Sequence, residues 1–280
     1  MWAQQRRHAG QQSAVEMNLN KAEKRQQRWL DACRRGRAEE VQQLILEGAD
    51  VSERNYGETV LISAAQYGHY RVVKILLDAG AEVEAVCRGP GSESYTALRW
   101  AVIGGHEKVA RILLDAGAEV EECSNDRSTA LIDAAERGHV GVAQMLLDAG
   151  ADTISTGWDN QSGTALHLAA KKRNPAMVMM LLDNGAAVNV KNTQKERPLH
   201  LGAQHCASGS NVEVVLILLD AGADIAAIDS YGQSALARAS AVLATSLPYQ
   251  TERISYCKAT GEVSISLDTT LLCPFDEFWS

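Results

Sequence analysis

The chain has 280 residues, of which 46% are hydrophobic and 22% are charged, so it is able to bury a core and disorder is not the default expectation. Only 5% are aromatic, and both phenylalanines, Phe275 and Phe278, lie in the last six positions. A core without phenylalanine favours thin, closely spaced helices over a wide globular interior. No stretch approaches the ~18–20 apolar residues of a membrane span, and the N-terminus lacks the apolar run of a signal peptide.

Charge is unevenly distributed along the chain. The net charge of −8 divides into +6 on residues 1–37, with nine basic and three acidic side chains, and −14 on the remainder. An acidic body argues against general nucleic-acid binding by that body, because a phosphate backbone needs a cationic track. The basic head leaves an electrostatic role open for the N-terminal region.

The first predicted elements form a helix pair near the N-terminus. Residues 1–19 are polar and basic, and we expect a flexible segment there. Residues 20–23, Asn-Lys-Ala-Glu, form a capping box that opens a helix ended by Gly36. A spaced apolar pattern from Val41 onward predicts a second helix. Residues 20–53 therefore look like a degenerate first unit of the repeat that follows.

Two motifs then recur in register. The run Leu-Leu-Asp-Ala-Gly-Ala occurs at 76–81, 113–118, 146–151 and 218–223, with a variant at 181–186. A second pattern precedes each run: Thr-x-Leu at residues 59, 96, 129 and 164 and Arg-Pro-Leu at 197, followed by small apolar residues and in three copies by Gly-His. A sixth anchor, Ser-Ala-Leu at 234, is followed by no such run. The threonine is a helix N-cap, and the glycine supplies the left-handed conformation that ends the helix. Each unit is therefore predicted to be a pair of short helices.

This periodicity resembles the ankyrin repeat, whose period is ~33 residues and whose signature is Thr-Pro-Leu-His-x-Ala. The resemblance spans roughly residues 29–240. It implies an all-α ankyrin-repeat solenoid of about six to seven stacked helix–turn–helix units with β-hairpin finger loops. We predict that the array covers residues 20–240 and that the last repeat, 229–243, is incomplete. One helix pair has no core of its own, so stability is expected to come from neighbouring units.

Residues 244–280 do not continue the repeat. Within them, residues 261–267 alternate like a strand. The segment 274–280, Pro-Phe-Asp-Glu-Phe-Trp-Ser, combines aromatic and acidic side chains. Two interpretations stay open: the tail caps the exposed end of the array, or it is an acidic-aromatic linear motif for a partner.

The histidines are predicted to be structural. His69, His106 and His139 follow the helix-ending glycine, and the resemblance implies that His167 and His200 hydrogen-bond between neighbouring repeats. A local group of His200, His205 and Cys206 offers only three ligands at a spacing that matches no zinc motif, so we predict no metal site and no cofactor.

The cysteines are scattered without a Cys-x-x-Cys pair, which favours a reducing compartment. Cys87 and Cys123 fall in adjacent loops, where a disulfide is the alternative to the free thiols that we favour.

The resemblance implies that a partner is held on the concave face, by the fingers and by the exposed ends of the first helices. Large aromatic side chains give contact area at low entropy cost. Trp100 is expected either to pack in its helix or to contact a partner. Lys171 and Lys172 form a cationic step that is either solvated or binds an acidic peptide. The candidate contact residues are Tyr56, Glu58, Tyr67, Tyr95, Trp100, Asp126, Arg137, Trp158, Asn160, Lys171, Lys172 and Tyr231.

No phosphate-binding loop, nucleophile elbow or paired catalytic group is evident, so we do not expect an enzyme. The predicted function is a protein–protein interaction scaffold or adaptor in the cytoplasm, with nuclear entry left open. The alternative is a substrate-recruiting subunit, ubiquitin-ligase-like or a targeting adaptor, that uses a terminal segment as its second module. The partner is predicted to be another protein, without nucleic acid on the repeat body.

Overall fold

A computed structural model describes residues 24–55, 57–87, 95–122, 128–157, 163–204, 209–238, 252–257 and 262–267. Short helices alternate with turns along most of these ranges. They are α1 (24–34), α2 (Ala38–Leu46), α3 (Val60–Gln66), α4 (Tyr70–Asp78), α5 (Ala97–Ile103), α6 (Glu107–Asp115), α7 (Ala130–Arg137), α8 (Val140–Asp148), α9 (Ala165–Lys171), α10 (Pro175–Asp183), α11 (Pro198–Ala203) and α12 (Gly209–Asp220), followed by a helical turn at 235–238. No helix in these ranges is long and apolar enough to cross a membrane.

The helices form two layers. The first helices of successive units pack on one another, α3 on α5, α5 on α7, α7 on α9 and α9 on α11. The second helices do the same, from α2 through α4, α6, α8 and α10 to α12. Each helix pair therefore buries its apolar faces against the pairs before and after it, which confirms the predicted solenoid.

Local sequence explains the helix boundaries and the core. The Thr59 Oγ1 accepts a hydrogen bond from the Ile62 N–H at 3.3 Å and begins α3. In α4, Val72, Val73 and Leu76 have no exposed surface. Buried Leu and Val side chains each contribute about 1.5–3 kcal/mol, so these short helices derive their stability from inter-unit packing.

Three histidines connect each unit to the unit before it. The Nε2 atoms of His69, His106 and His139 lie 2.8, 3.0 and 3.2 Å from the carbonyl oxygens of Arg34, Gln66 and Ile103. Each imidazole also lies over the helix-ending glycine of the preceding unit, Gly36, Gly68 or Gly105. Their predicted structural role is confirmed by these contacts.

Two further histidines connect units at the base of the fingers. His167 Nδ1 accepts from the Thr164 N–H at 3.2 Å, and its Nε2 donates to the Glu196 carbonyl oxygen at 3.0 Å. His200 makes the equivalent bonds to the Arg197 N–H at 3.3 Å and the Ala227 carbonyl oxygen at 3.1 Å. Both nitrogens of His200 are therefore engaged by the backbone. The other two members of the local group in the sequence, His205 and Cys206, lie outside the described residues.

The fingers are short antiparallel pairs, as predicted. Strands β1 (Arg54–Asn55) and β2 (Glu58–Thr59) pair with each other, and single bridges join Thr156 to Thr164 and Ile228 to Ser234. Cys87, at the base of a finger, is a buried free thiol, and burial raises its pKa. Cys123 lies outside the described residues.

A separate hairpin follows the repeats. Strands β3 (Glu252–Cys257) and β4 (Glu262–Leu267) pair antiparallel, with Ile254 opposite Ile265. The strand predicted at residues 261–267 is confirmed. Its partner was missed because the run Glu-Arg-Ile-Ser-Tyr-Cys has only two large apolar residues.

Candidate functional site

A cleft of about 400 Å³ lies where the first helices α5, α7 and α9 meet the chain that leads into them. We define the cleft by its lining residues. They are Tyr95, Trp100, Ile103, Ser128, Ile132, Asp133, Glu136, Arg137, Gly157, Gly163, Leu168, Lys171 and Lys172. Five of the predicted contact residues are brought together here: Tyr95, Trp100, Arg137, Lys171 and Lys172.

An aromatic corner forms one wall of the cleft. The Tyr95 and Trp100 rings meet edge to face, with centroids 5.5 Å apart and an interplanar angle of 74°. The Arg99 guanidinium carbon lies 4.3 Å from the centroid of the Tyr95 ring. Trp100 is partly buried and packs against the core. The packed alternative for Trp100 is confirmed, and because the same ring lines the cleft, its contact with a partner stays a prediction.

A buried ion pair lies beneath this wall. Arg99 Nε donates to Asp133 Oδ2 at 2.6 Å and joins α5 to α7. The Arg99 side chain is only 3% exposed. Ser128 Oγ also donates to the Asp133 carboxylate, at 3.4 Å. The pair fixes the relative position of two helices that line the cleft, and sequence reasoning missed it.

The opposite side of the cleft is cationic. Arg137 is at the last position of α7, Lys171 ends α9, and Lys172 follows it. Lys172 Nζ lies 3.5 Å from Glu136 Oε1, and both side chains are about half exposed. Asp133, the other acidic lining residue, is paired with Arg99. The cleft thus combines an apolar floor with an excess of positive charge on a chain that is acidic overall.

The backbone beside this cationic side breaks the repeat pattern. Arg173 has a φ of +60° at the position that glycine occupies in earlier units. In the earlier units, the histidine of the next unit packs where a Cβ atom on this glycine would lie. A residue with a side chain at this position is incompatible with that packing. The unit that follows carries an insertion near the equivalent point, at residues 206–209, most of which lies outside the described ranges.

The other predicted contact residues lie away from the cleft or outside the described residues. Glu58 accepts a hydrogen bond from Ser63 Oγ at 2.8 Å, and the half-exposed Tyr67 stacks on His69 with centroids 6.3 Å apart. Tyr231, at the last finger, is 70% exposed. The predicted residues outside the described ranges are Tyr56, Asp126, Trp158 and Asn160.

Acidic side chains connect the loops that follow the second helices. Glu84 accepts a hydrogen bond from the backbone N–H of Glu119 at 3.0 Å, and Glu121 accepts from that of Asp152 at 2.8 Å. Burial and a hydrogen bond with Glu84 raise the pKa of Glu122 to about 7. In the described part of the chain, no group of three His, Cys, Asp or Glu side chains is placed to hold a metal ion.

The sequence matches the family model described as ankyrin repeats (3 copies) in three segments, residues 3–87, 85–157 and 154–229. The fold is similar to the human ASB11 ankyrin repeat domain, with a TM-score of 0.64, 27% identity, and coverage of 79% of this chain and 98% of that one. It is also similar to the ankyrin repeat domain of Bcl-3, a member of the IkappaB family, with a TM-score of 0.65, 25% identity, and coverage of 78% and 97%.

Curated relatives match over shorter stretches. The E3 ubiquitin-protein ligase KEG of Arabidopsis thaliana is 38% identical over 81 residues, which is 29% of this chain and 5% of that protein. The tyrosine-protein kinase HTK16 of Hydra vulgaris is 38% identical over 74 residues, 25% of this chain and 9% of that protein. Mouse GA-binding protein subunit beta-2 is 41% identical over 58 residues, 21% and 14% of the two chains. The matched stretch is thus a small part of each relative.

Proposed function

Because this chain belongs to the ankyrin-repeat family, we propose that it is an interaction scaffold or adaptor that holds a peptide or loop of a partner protein in the cleft between α5, α7 and α9. Ankyrin repeats are in general protein–protein interaction modules. The observation that carries the proposal is the convergence of Tyr95, Trp100, Arg137, Lys171 and Lys172 on one cleft. We place the protein in the cytoplasm, with nuclear entry left open.

The chemistry of the cleft suits a peptide better than a flat protein surface. Tyrosine, tryptophan and arginine are the residue types that most often dominate binding energy at protein interfaces. The partly buried Trp100 and the buried Ile132 and Leu168 offer an apolar floor for a side chain. The basic groups at the rim then favour a peptide with acidic residues, because complementary charge contributes specificity and speeds association.

Selection from a displayed peptide library tests this proposal. We expect the chain to enrich peptides with a large apolar residue next to acidic ones. Reversing two rim charges, Arg137→Glu and Lys172→Glu, should weaken Kd for those peptides at least about tenfold, equivalent to about 1.4 kcal/mol. Both side chains are exposed, so the melting temperature should change little.

A matched control reverses two exposed charges on second helices, Lys74→Glu in α4 and Arg111→Glu in α6. This control has the same change in net charge and should keep the wild-type Kd. Equal affinity of the rim variant and the control for the selected peptides would exclude the cleft as the binding site.

The fingers are part of the proposed surface. Tyr56 and Trp158, together with Tyr95, are our candidates for aromatic contacts outside the helices. We expect the triple replacement of these residues by alanine to abolish capture of a selected peptide. The melting temperature should fall by no more than it does in Tyr95→Ala alone, which loses the contacts with Trp100 and Arg99. Retained capture would restrict the site to the helix ends.

A second candidate is a substrate-recruiting subunit whose other module is a terminal segment. The hairpin of β3 and β4, which lies outside the repeat pattern, is the observation that favours it. Removal of residues 241–280 separates the possibilities. A second module predicts loss of one partner with intact folding, whereas a cap predicts a lower melting temperature.

A further inference from the structure

We propose that the chain carries its own ligand for the cleft: the C-terminal segment 274–280 docks between α5, α7 and α9 of the same molecule. This inference rests on the proposed function, because the segment would occupy the site that a partner peptide uses. The tail would then compete with a partner for the cleft, so that a partner binds only when it displaces the tail.

The composition of the segment complements the cleft. Phe275, Phe278 and Trp279 surround Asp276 and Glu277. Aromatic side chains match the apolar part of the lining, where Trp100 and Ile103 are partly exposed. The two carboxylates match the cationic side formed by Arg137, Lys171 and Lys172. Both chemical features of the segment therefore find a counterpart within one site.

The far end of the array is a poorer place for the same segment. Residues 209–238 contain four acidic side chains, Glu213, Asp220, Asp224 and Asp229, and a single basic one, Arg238. Arg238 is already paired with Glu196 at 2.7 Å and with Asp229 at 2.5 Å, and it is only 9% exposed. Asp229 is paired with Arg238 and Asp224 with Arg197, so an acidic tail that covered this end would meet the carboxylates of Glu213 and Asp220. Electrostatics therefore favour the cleft, where three of the lining residues are basic and two are acidic.

The chain is long enough to reach the cleft. The helical turn at 235–238 is two to three helix spacings from α7 and α9, and packed helices are about 8–10 Å apart. The gap is therefore roughly 20–30 Å. Outside the hairpin, residues 239–251 and 268–273 connect the array to the tail. Extended chain spans at most about 3.3–3.6 Å per residue, so these two stretches exceed the gap about twofold.

Site-specific photocrosslinking in the full chain tests where the tail lies. A photoreactive benzoylphenylalanine in place of Phe278 should crosslink within one molecule to residues of α5, α7 or α9, as mapped by mass spectrometry. Crosslinks to residues 209–238 would show a cap, and a covalent dimer would show that the ligand comes from a second copy. Either of these results, or the absence of crosslinks, overturns the proposal.

A charge exchange provides the matched control. Reversing the tail charges with Asp276→Lys and Glu277→Lys should abolish crosslinks to the cleft. Adding Arg137→Glu and Lys172→Glu to the same chain should restore them. Loss without restoration would mean that the charges do not face each other, and the docking model would fail.

Competition gives an independent readout. A tethered segment has an effective concentration on the order of 1 mM, so a tail with its own Kd of about 0.1 mM weakens a partner peptide about tenfold. Replacing Phe275, Phe278 and Trp279 with alanine should therefore tighten the Kd of a library-selected peptide by that factor. An equal Kd for the wild type and the alanine variant would exclude tail docking and leave the proposed function intact. Absence of peptide binding by both proteins would count against the proposed function itself.

Discussion

His106 packs directly on Gly68: its Nδ1 lies 2.6 Å from the position that a Cβ atom on Gly68 would take. The same ring places its Nε2 3.0 Å from the carbonyl oxygen of Gln66. Gly68 also has a φ of +76°, a conformation that side-chain-bearing residues rarely adopt. Glycine is thus required here for two separate reasons, one within its own helix end and one at the boundary with the next unit.

The first prediction separates these two reasons. Gly68→Ala should destabilise the protein by about 2–4 kcal/mol, whereas Gly80→Ala should cost only about 1–2 kcal/mol for the left-handed conformation. Gly80 has a similar φ of +86°, but a Cβ on it would meet nothing within 4 Å. Urea denaturation of both variants measures the difference, which is the cost of displacing His106.

A double variant checks this assignment. In Gly68→Ala with His106→Ala, the steric conflict is absent, so the two free-energy changes should be clearly less than additive. If the free-energy changes of the two single variants simply add up in the double variant, His106 and Gly68 are not energetically coupled.

The second prediction concerns the ion pair between Arg99 and Asp133. Asp133→Ala should cost about 3–5 kcal/mol, because it removes the carboxylate that forms an ion pair with a guanidinium only 3% exposed. Replacing both residues with apolar ones, Arg99→Met and Asp133→Leu, should recover most of that loss. Chemical denaturation measures each value.

The control for this pair is Glu136→Ala, which removes the exposed ion pair with Lys172 on the same face. An exposed pair contributes about 0–1 kcal/mol, so this variant should stay close to wild type. A loss at Asp133 no larger than that at Glu136 would mean that the buried pair contributes little.

The third prediction is a pH dependence due to Glu122. Its pKa in the folded chain is about 7, against 4.5 for an ordinary glutamate. Burial and the neighbouring Glu84 are the main causes of this rise. Glu119 raises the pKa further, whereas Arg99 lowers it. A raised carboxyl pKa means that its stabilising contribution is complete below pH 4.5 and is lost as the pH rises through 7. We expect a loss of about 1–2 kcal/mol over that range, reduced by partial exposure of the group.

Glu122→Gln removes this dependence, because the amide stays neutral and still donates to Glu84. Thermal unfolding between pH 4.5 and 8 should show a smaller decline for this variant than for wild type. Glu82→Gln, at an exposed position close by, is the control and should keep the wild-type slope. Parallel curves for all three proteins would contradict the assignment.

The fourth prediction concerns the last described unit. Arg238 Nε and a terminal nitrogen both donate to Asp229 Oδ2, at 2.9 and 2.5 Å, and Arg238 also pairs with Glu196 at 2.7 Å. Arg238→Ala leaves two buried carboxylates unpaired and should destabilise this end by about 3 kcal/mol. Faster amide exchange at Tyr231 and Gln233, whose N–H groups donate to Asp229, measures the local effect.

Arg197→Ala serves as a comparison, because the ion pair that it removes involves the more exposed Asp224. Its effect on exchange in the same segment should be smaller. An equal effect would mean that burial does not decide the strength of these pairs.

The repeat pattern in the sequence was sufficient to predict the helix pairs, and the family resemblance added the fingers and the bonds of His167 and His200 between units. These features depend on residues close together in the chain, such as a threonine cap or a glycine after a helix. Tyr95, Arg137 and Lys171 were predicted from the sequence as separate contact candidates, and it is the structure that brings them to one cleft. Whether these residues bind a partner stays a prediction.

Features that depend on one unit departing from the pattern were not predicted. Arg99 takes the position that histidine takes in later units, and on a short helix an arginine normally suggests exposure. Its burial depends on Asp133, which is 34 positions away and aligned with a different place in the repeat. The acidic group around Glu122 was missed for the same reason, since only the packing of three loops brings it together.

The histidine bridges divide the array at one boundary. His69, His106 and His139 join the first four helix pairs, while His167 and His200 join the pairs from α9 onward. Between α7 and α9 the two equivalent positions hold Ile132 and Asn174, so in the described part of the chain this boundary lacks a histidine bridge. A solenoid opens first at its weakest neighbour contact, and we expect its two halves to separate here. A segment bound in the cleft contacts helices on both sides of this boundary. Binding should therefore hold the two halves of the array together and oppose their separation.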